Sequence, residues 1–207
     1  MKELTDDLPK SLLPINGRPI IEYALENLPD IISEIILIVG YKSEMIKDHL
    51  GDNYLGKPIK YIEQKELNGT AGALWAARDL VKDKFLVMYG DDFYSKKDLE
   101  KLVANDLGLL AIETKTPQNF GVIELDEQGN LIRIVERPKE PRGNLTNTGA
   151  YVLDKRIFKY SMEPISETEF GLPQTIVKMV ADWPVKVVQA EFWQGHNSQE
   201  DLMASVK

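Results

Sequence analysis

No cysteine occurs among the 207 residues, which excludes disulfide bonds, thiolate metal sites and a cysteine nucleophile. Only two histidines are present, His49 and His196, too few for a histidine-rich metal centre. No apolar run exceeds five residues, as in Ile35–Val39 and Phe85–Tyr89. A membrane-spanning helix needs about 20. Basic charge is also scarce: 25 Lys and Arg against 33 Asp and Glu leave a net charge of −8. That balance argues against a nucleic-acid binder, which carries a basic face. It still permits a small anionic ligand, which needs only a few placed cations and backbone N–H groups. No G-x-S-x-G nucleophile elbow is present. The first residues, with Glu3, Asp6 and Asp7, offer no apolar stretch of a secretory leader. A cytoplasmic protein that touches neither membrane nor nucleic acid is expected.

What is present is ordinary globular material, 43% hydrophobic and 28% charged, enough to bury one substantial core. Apolar positions Ile20, Ile21, Ala24, Leu25 and Leu28 recur at helical spacing and predict a helix over Pro19–Leu28. The runs Ile35–Val39, Ile59–Ile62 and Phe85–Tyr89 read as strands, with helices over Ser43–Leu50 and Ala71–Leu80 between them. Short β-branched runs without alternation suit strands buried on both faces. Beyond residue 94 the pattern changes. Val122–Leu125 and Leu131–Val135 flank Asp126-Glu127-Gln128-Gly129-Asn130, a hairpin signal. Leu109–Glu113, Ala150–Leu153 and Val185–Val188 read as further strands. Lys155–Tyr160, Pro173–Asp182 and Ser198–Val206 read as helices, the last beginning at Ser198 with Asp201 three residues on. The expected organisation is a single domain over residues 1–207, with one half up to about 94 and another from about 95.

Several short motifs could carry chemistry. Lys10 lies between Pro9 and Pro14, in a segment expected to be extended, just ahead of the first helix. A cation there could hold a phosphate; read alone, it is equally an ordinary surface lysine. Gln64 and the segment Gly69-Thr70-Ala71-Gly72 join a strand end to a helix start. The glycines would let a ligand approach backbone N–H groups, and the amide of Gln64 could pair with a nucleobase edge. A plain helix cap accounts for the same letters. Asp91 and Asp92 follow a buried strand, where α/β sheets bind ligands, and Asp91 could hold a divalent cation. Glu136 could accept from sugar hydroxyls, and Arg137 could grip a phosphate. Gly121 and the stretch Asn147-Thr148-Gly149 allow close approach of backbone.

Taken in order, PKSLLPINGRP, YIEQ with GTAGAL, GDDFY, FG, VERP and NTGAY resemble the motif set of sugar-1-phosphate nucleotidylyltransferases, also called NDP-sugar pyrophosphorylases. The resemblance runs from Leu4 to about Ala204. It implies a Rossmann-like α/β fold with a mixed, mostly parallel sheet flanked by helices. It also implies the family's reaction. A sugar 1-phosphate attacks the α-phosphate of a nucleoside triphosphate with Mg²⁺ assistance, giving an NDP-sugar and pyrophosphate. By this resemblance Lys10 and Asp91 are catalytic, with Asp91 the metal ligand. Gln64, Gly69 and Thr70 would bind the nucleotide, the residues up to about 94 forming its half. Gly121, Glu136, Arg137 and Asn147 would hold the sugar phosphate in the second half. The base is open, since Gln64 suits thymine or uracil and does not exclude guanine. Self-association is left open too.

Two departures stand out. The family begins with a buried strand and a G-x-G-(T/S)-R loop, whereas here Met1-Lys2-Glu3 runs directly into Leu4-Thr5-Asp6-Asp7-Leu8-Pro9-Lys10. Near the other end, Trp193-Gln194-Gly195 puts glycine where the family has a second metal-binding aspartate. Both features suit an alternative, a non-catalytic relative that binds a nucleotide or nucleotide sugar as a sensor or partner subunit. This sequence is expected to bind nucleotide weakly and to turn over slowly or not at all.

Overall fold

The computed structural model describes residues 8–195, so the predicted helix Ser198–Val206 and the side chains of His196 and Asn197 lie outside it. Eight main strands are β1 (Ile35–Val39), β2 (Lys57–Glu63), β3 (Lys84–Val87), β4 (Gly108–Glu113), β5 (Gly121–Leu125), β6 (Leu131–Glu136), β7 (Leu145–Asp154) and β8 (Lys186–Gln189). Five helices accompany them: α1 (Ile20–Glu26), α2 (Ser43–Leu50), α3 (Gly69–Ala76), α4 (Lys96–Val103) and α5 (Leu172–Met179).

The strand β7 organises the larger sheet. One of its edges pairs antiparallel with β4 along most of its length. The other edge is shared: Thr146 faces Val122 of β5, while Tyr151 to Asp154 pair with β3. The hairpin partner β6 lies outside β5, and β8 runs parallel to β4 at the far edge. Side chains alternate across this sheet as the pleat requires. Leu109, Ala111, Tyr151 and Leu153 face a core closed by α3 and α5, with Leu74, Leu172, Ile176 and Met179. Leu110, Ala150 and Val152 face the opposite core, closed by Leu99 and Leu102 of α4. Helices therefore cover both faces, the expected mixed α/β arrangement.

A second, smaller sheet pairs β1 with β2 in parallel, from Ile35 opposite Ile59 to Val39 opposite Glu63. Ile21 and Leu25 of α1 and Ile46 and Leu50 of α2 pack on it. Among the described residues no ladder joins β1 to β3. The interior of β1 shows the consequence. Ile36, Leu37 and Ile38 are only partly buried, where a strand buried on both faces was expected.

Most elements fall close to the sequence reading, and the differences have local causes. Lys10 does not lie in an extended segment but begins a 3₁₀ turn, Lys10–Leu12, closed by Leu12 N–H to Pro9 O at 2.9 Å. Pro9 restricts the residue before it, and Pro14 acts on Leu13, which is extended; neither constrains Lys10. The first helix starts at Ile20 because Arg18-Pro19 pair back onto Pro14-Ile15 across Asn16-Gly17. Both turn residues have positive φ, the geometry that tight hairpins favour. Lys155–Lys159 is 3₁₀ rather than α-helical. The strand predicted at Ala150–Leu153 extends back to Leu145 because Asn147-Thr148-Gly149 forms an irregularity within it rather than a turn. Thr148 Oγ1 donates to the Leu110 carbonyl at 2.8 Å, and Gly149 takes a φ of +80°.

Candidate active site

Lys10 and Asp91, far apart in sequence, meet in a partly buried ion pair. The 3₁₀ turn presents Lys10, and Asp91 follows β3 through Met88-Tyr89-Gly90. Both line a cavity of about 770 Å³, together with Thr70, Tyr89 and Gly90. Thr70 also ties the start of α3 to α5, since its hydroxyl accepts the Leu172 N–H at 2.9 Å.

Tyr89 stands at the centre of this arrangement, although sequence reasoning treated it only as the end of an apolar run. Burial first, then the carboxylates of Asp92, Glu136 and Asp91, push its phenol up to about 12. The three carboxylates act on this hydroxyl electrostatically, and a hydrogen bond with Thr70 opposes them. The ring lies against Gly149, where a Cβ would overlap it. The signal was the pairing of an aromatic at a strand end with a glycine beside another strand, but no local pattern says that these two meet.

Because the folded-state value of Tyr89 lies above the unfolded value of about 10, its contribution to stability is complete below that pH. It is lost as pH rises from about 10 towards 12. Absorbance titration should show a phenolate step near 12. Tyr89→Phe should remove it. A wild-type titration complete by about pH 10.5 without unfolding would contradict this assignment.

The sugar-side candidates form a second group. Gly121 and Glu136 are ladder partners in the β5–β6 hairpin. A Cβ on Gly121 would come within 3.0 Å of Glu136 Oε2 and 3.7 Å of the Asn147 Cβ, so these three are neighbours. Asn147 donates from Nδ2 to the Tyr151 hydroxyl at 2.7 Å and accepts the Gly149 N–H at 3.0 Å. Arg137 is exposed, has a φ of +42°, and places Nε 3.7 Å from Glu136 Oε1.

Gln64 and Gly69 sit together, but their groups have local work. Gln64 Nε2 donates to Asn68 Oδ1 at 3.0 Å and to the Gly69 carbonyl at 3.3 Å. Gly69 has a φ of +89°, and a Cβ there would overlap the Phe170 backbone. Its lack of a side chain admits another strand of this chain.

Asp92 is buried and accepts from Trp193 Nε1 at 3.2 Å. Trp193 and Gln194 pair antiparallel with Tyr94 and Phe93, so the register carries Gly195 towards Asp92. Buried Asp98, also missed from sequence, accepts the N–H groups of Glu191 and Phe192 at 2.8 and 3.1 Å and fixes this return strand. The Trp193 and Phe120 rings meet in a T-shaped contact, with centroids 5.5 Å apart. Among the described residues no group of three or more His, Asp or Glu side chains gathers to cage a metal. One accessible carboxylate, Asp91, suits Mg²⁺, which binds through one or two carboxylates and completes its shell with phosphate oxygens and water.

The fold is a layered α/β one with the Lys10–Asp91 ion pair bordering its cavity, and comparison gives its family. The model for nucleotidyl transferases matches residues 1–194, and the chain belongs to that family of enzymes. Bifunctional protein GlmU of Methanocaldococcus jannaschii is 35% identical over 210 residues, covering 100% of this chain and 50% of that protein. The UTP–glucose-1-phosphate uridylyltransferase AglF of Haloferax volcanii is 30% identical, covering 85% of this chain and 76% of that one. A UDP-glucose pyrophosphorylase, crystallised with UDP-glucose, superposes with a TM-score of 0.84 over 96% of this chain and 89% of its own. At 19% identity that likeness shows the fold. The chain spans about half the length of the GlmU relatives it matches.

Proposed function

We propose that this domain transfers a nucleotidyl group from a nucleoside triphosphate to a sugar 1-phosphate. The observation that carries the reading is the partly exposed Lys10–Asp91 pair in the cavity lining. An ion pair this accessible can exchange partners, Lys10 turning to a phosphate while Asp91 takes a cation. A phosphate oxygen of the sugar 1-phosphate attacks the α-phosphorus. The bond from that phosphorus to the β-phosphate oxygen breaks, and pyrophosphate leaves with the electron pair. No side chain need become covalently attached. Lys10 neutralises phosphate charge, and positioning supplies much of the acceleration. Mg²⁺, when bound at Asp91, supplies further charge neutralisation at the phosphates.

In this reading Gln64, Gly69 and Thr70 form the nucleotide side, within residues up to about 94. Gly121, Glu136 and Asn147 receive the sugar, with Arg137 reaching its phosphate, in the part from about 95 onward. The closeness of Gly121, Glu136 and Asn147 supports a single sugar subsite. No helix among the described residues is long and apolar enough to cross a membrane, which is compatible with a cytoplasmic enzyme. A second reading, a nucleotide-binding sensor without turnover, is favoured by Gly195, which follows Trp193-Gln194 where an aspartate would offer a second carboxylate.

Pyrophosphate release, measured across several triphosphates and sugar 1-phosphates with Mg²⁺, separates the two. Turnover that is slow but dependent on both substrates supports transfer. Gly195→Asp should raise the rate by roughly tenfold or more, since a second carboxylate would share the cation. Nucleotide binding with no pyrophosphate from either protein would favour the sensor.

A further inference from the structure

Among the buried residues of the larger core, Tyr151 alone carries a hydrogen-bonding side chain; the rest are Ala, Leu, Ile, Met and Val. It is 0% exposed. A phenylalanine would fill the same space with no hydroxyl to satisfy, and a buried hydroxyl without a partner is costly. The partners of this hydroxyl therefore show what it is for. Both belong to the candidate site. Asn147 Nδ2 donates to it at 2.7 Å. It also hydrogen-bonds with Tyr89, which in turn engages Thr70.

Burial holds the Tyr151 phenol well above its usual value, so it stays neutral with a single proton to give. Its oxygen already receives the Asn147 N–H, which leaves that proton for Tyr89. The Asn147 amide is thereby held from two sides. Its Oδ1 accepts the Gly149 N–H at 3.0 Å, and a backbone N–H can only donate. Its Nδ2 meets an oxygen whose proton is committed elsewhere. A flipped amide would set N–H against N–H and oxygen against oxygen. After these two bonds the amide keeps one N–H on Nδ2 and one lone pair on Oδ1, beside Gly121 and the Glu136 carboxylate.

We propose that Tyr151 is a positioning residue for the sugar subsite, its hydroxyl holding the Asn147 amide so that the remaining N–H meets a sugar hydroxyl while Glu136 supplies acceptors. This rests on the sugar subsite read above. Being fully buried, Tyr151 acts through Asn147 and does not touch the sugar.

The test uses the 207-residue protein, Tyr151→Phe, Asn147→Ala and the double variant. Calorimetry follows glucose 1-phosphate and N-acetylglucosamine 1-phosphate binding with Mg²⁺ and saturating αβ-methylene UTP, which cannot transfer. Tyr151→Phe is expected to weaken sugar-phosphate binding about tenfold, the worth of one oriented hydrogen bond. Binding of the nucleotide analogue should stay within about twofold, since Tyr89 keeps Thr70. The melting temperature should fall by only about 2–4 °C, because the ring is retained. In the Asn147→Ala background Tyr151→Phe should have no further effect on sugar binding. Exchange of the Asn147 side-chain amide protons, followed by NMR without any substrate, should become at least about tenfold faster in Tyr151→Phe.

Unchanged sugar binding or unchanged amide exchange in Tyr151→Phe overturns the proposal. So does an equal loss for nucleotide and sugar, a collapsed melt, or an effect that persists without the Asn147 side chain, each of which makes Tyr151 a packing residue. Wild-type protein that binds neither sugar phosphate defeats the sugar-subsite reading itself, and the proposal with it. Wild-type binding that Tyr151→Phe leaves intact defeats the proposal alone.

Discussion

Asp91→Ala is expected to lower nucleotidyl transfer by roughly two to three orders of magnitude while leaving the protein folded. Removing one preorganised electrostatic group from a polar transition state typically costs that much. Here the lost carboxylate is also the one proposed to hold Mg²⁺. The fold should tolerate the change because Asp91 and Lys10 are each about a quarter to a third exposed. Ion pairs of that exposure contribute at most about 1 kcal/mol, and the released ammonium can reach water. Activity should be read over a Mg²⁺ titration alongside a thermal melt. A loss that high Mg²⁺ partly restores would fit weakened cation binding. Full activity at low Mg²⁺ would remove Asp91 from the metal role, and a collapsed melt would make it a structural residue.

The largest effect on stability is expected from Gly149→Ala. Gly149 is buried at a φ of +80°, which L side chains rarely adopt, and its missing side chain makes room for the Tyr89 ring. Positive φ at a non-glycine costs about 1–3 kcal/mol. Overpacking typically adds another 1–3 kcal/mol. A loss of roughly 2–5 kcal/mol is therefore expected, read by urea denaturation. The two contributions can be separated. In Tyr89→Ala the ring is gone, so adding Gly149→Ala should then cost only the backbone part. The double-mutant cycle should show a coupling of about 1–3 kcal/mol. If the costs simply add, Tyr89 does not press on Gly149, and the neighbourhood described for the phenol is wrong.

Local chemistry made much of the fold legible. The hairpin follows from Asp126, whose carboxylate accepts the N–H groups of Gln128 and Asn130 at 2.9 and 2.7 Å, with Gly129 at positive φ. Such a turn is built from its own letters. The helices over Ser43–Leu50 and Lys96–Val103 bury the side that sequence periodicity or sheet packing demands, although only the first was foreseen. The return strand Trp193-Gln194 was not foreseen either. It exists because Tyr94 and Phe93 offer an edge and Asp98 accepts its backbone N–H groups, contacts made about a hundred residues away in sequence.

The candidate site divides along the same line. By itself the sequence determined which residues carry charge, amide and glycine at strand ends, and the ordered motifs determined the family. Those are properties of short segments, and short segments are what spacing and composition report. Only the tertiary structure decided that Lys10 reaches Asp91, that Tyr89 packs against Gly149, and that Gly69 leaves room for the Phe170 backbone. It alone also showed that, among the described residues, no ladder joins β1 to β3. Each of these depends on which distant strands become neighbours, and that is settled by the packing of whole faces against one another. No single segment carries that information.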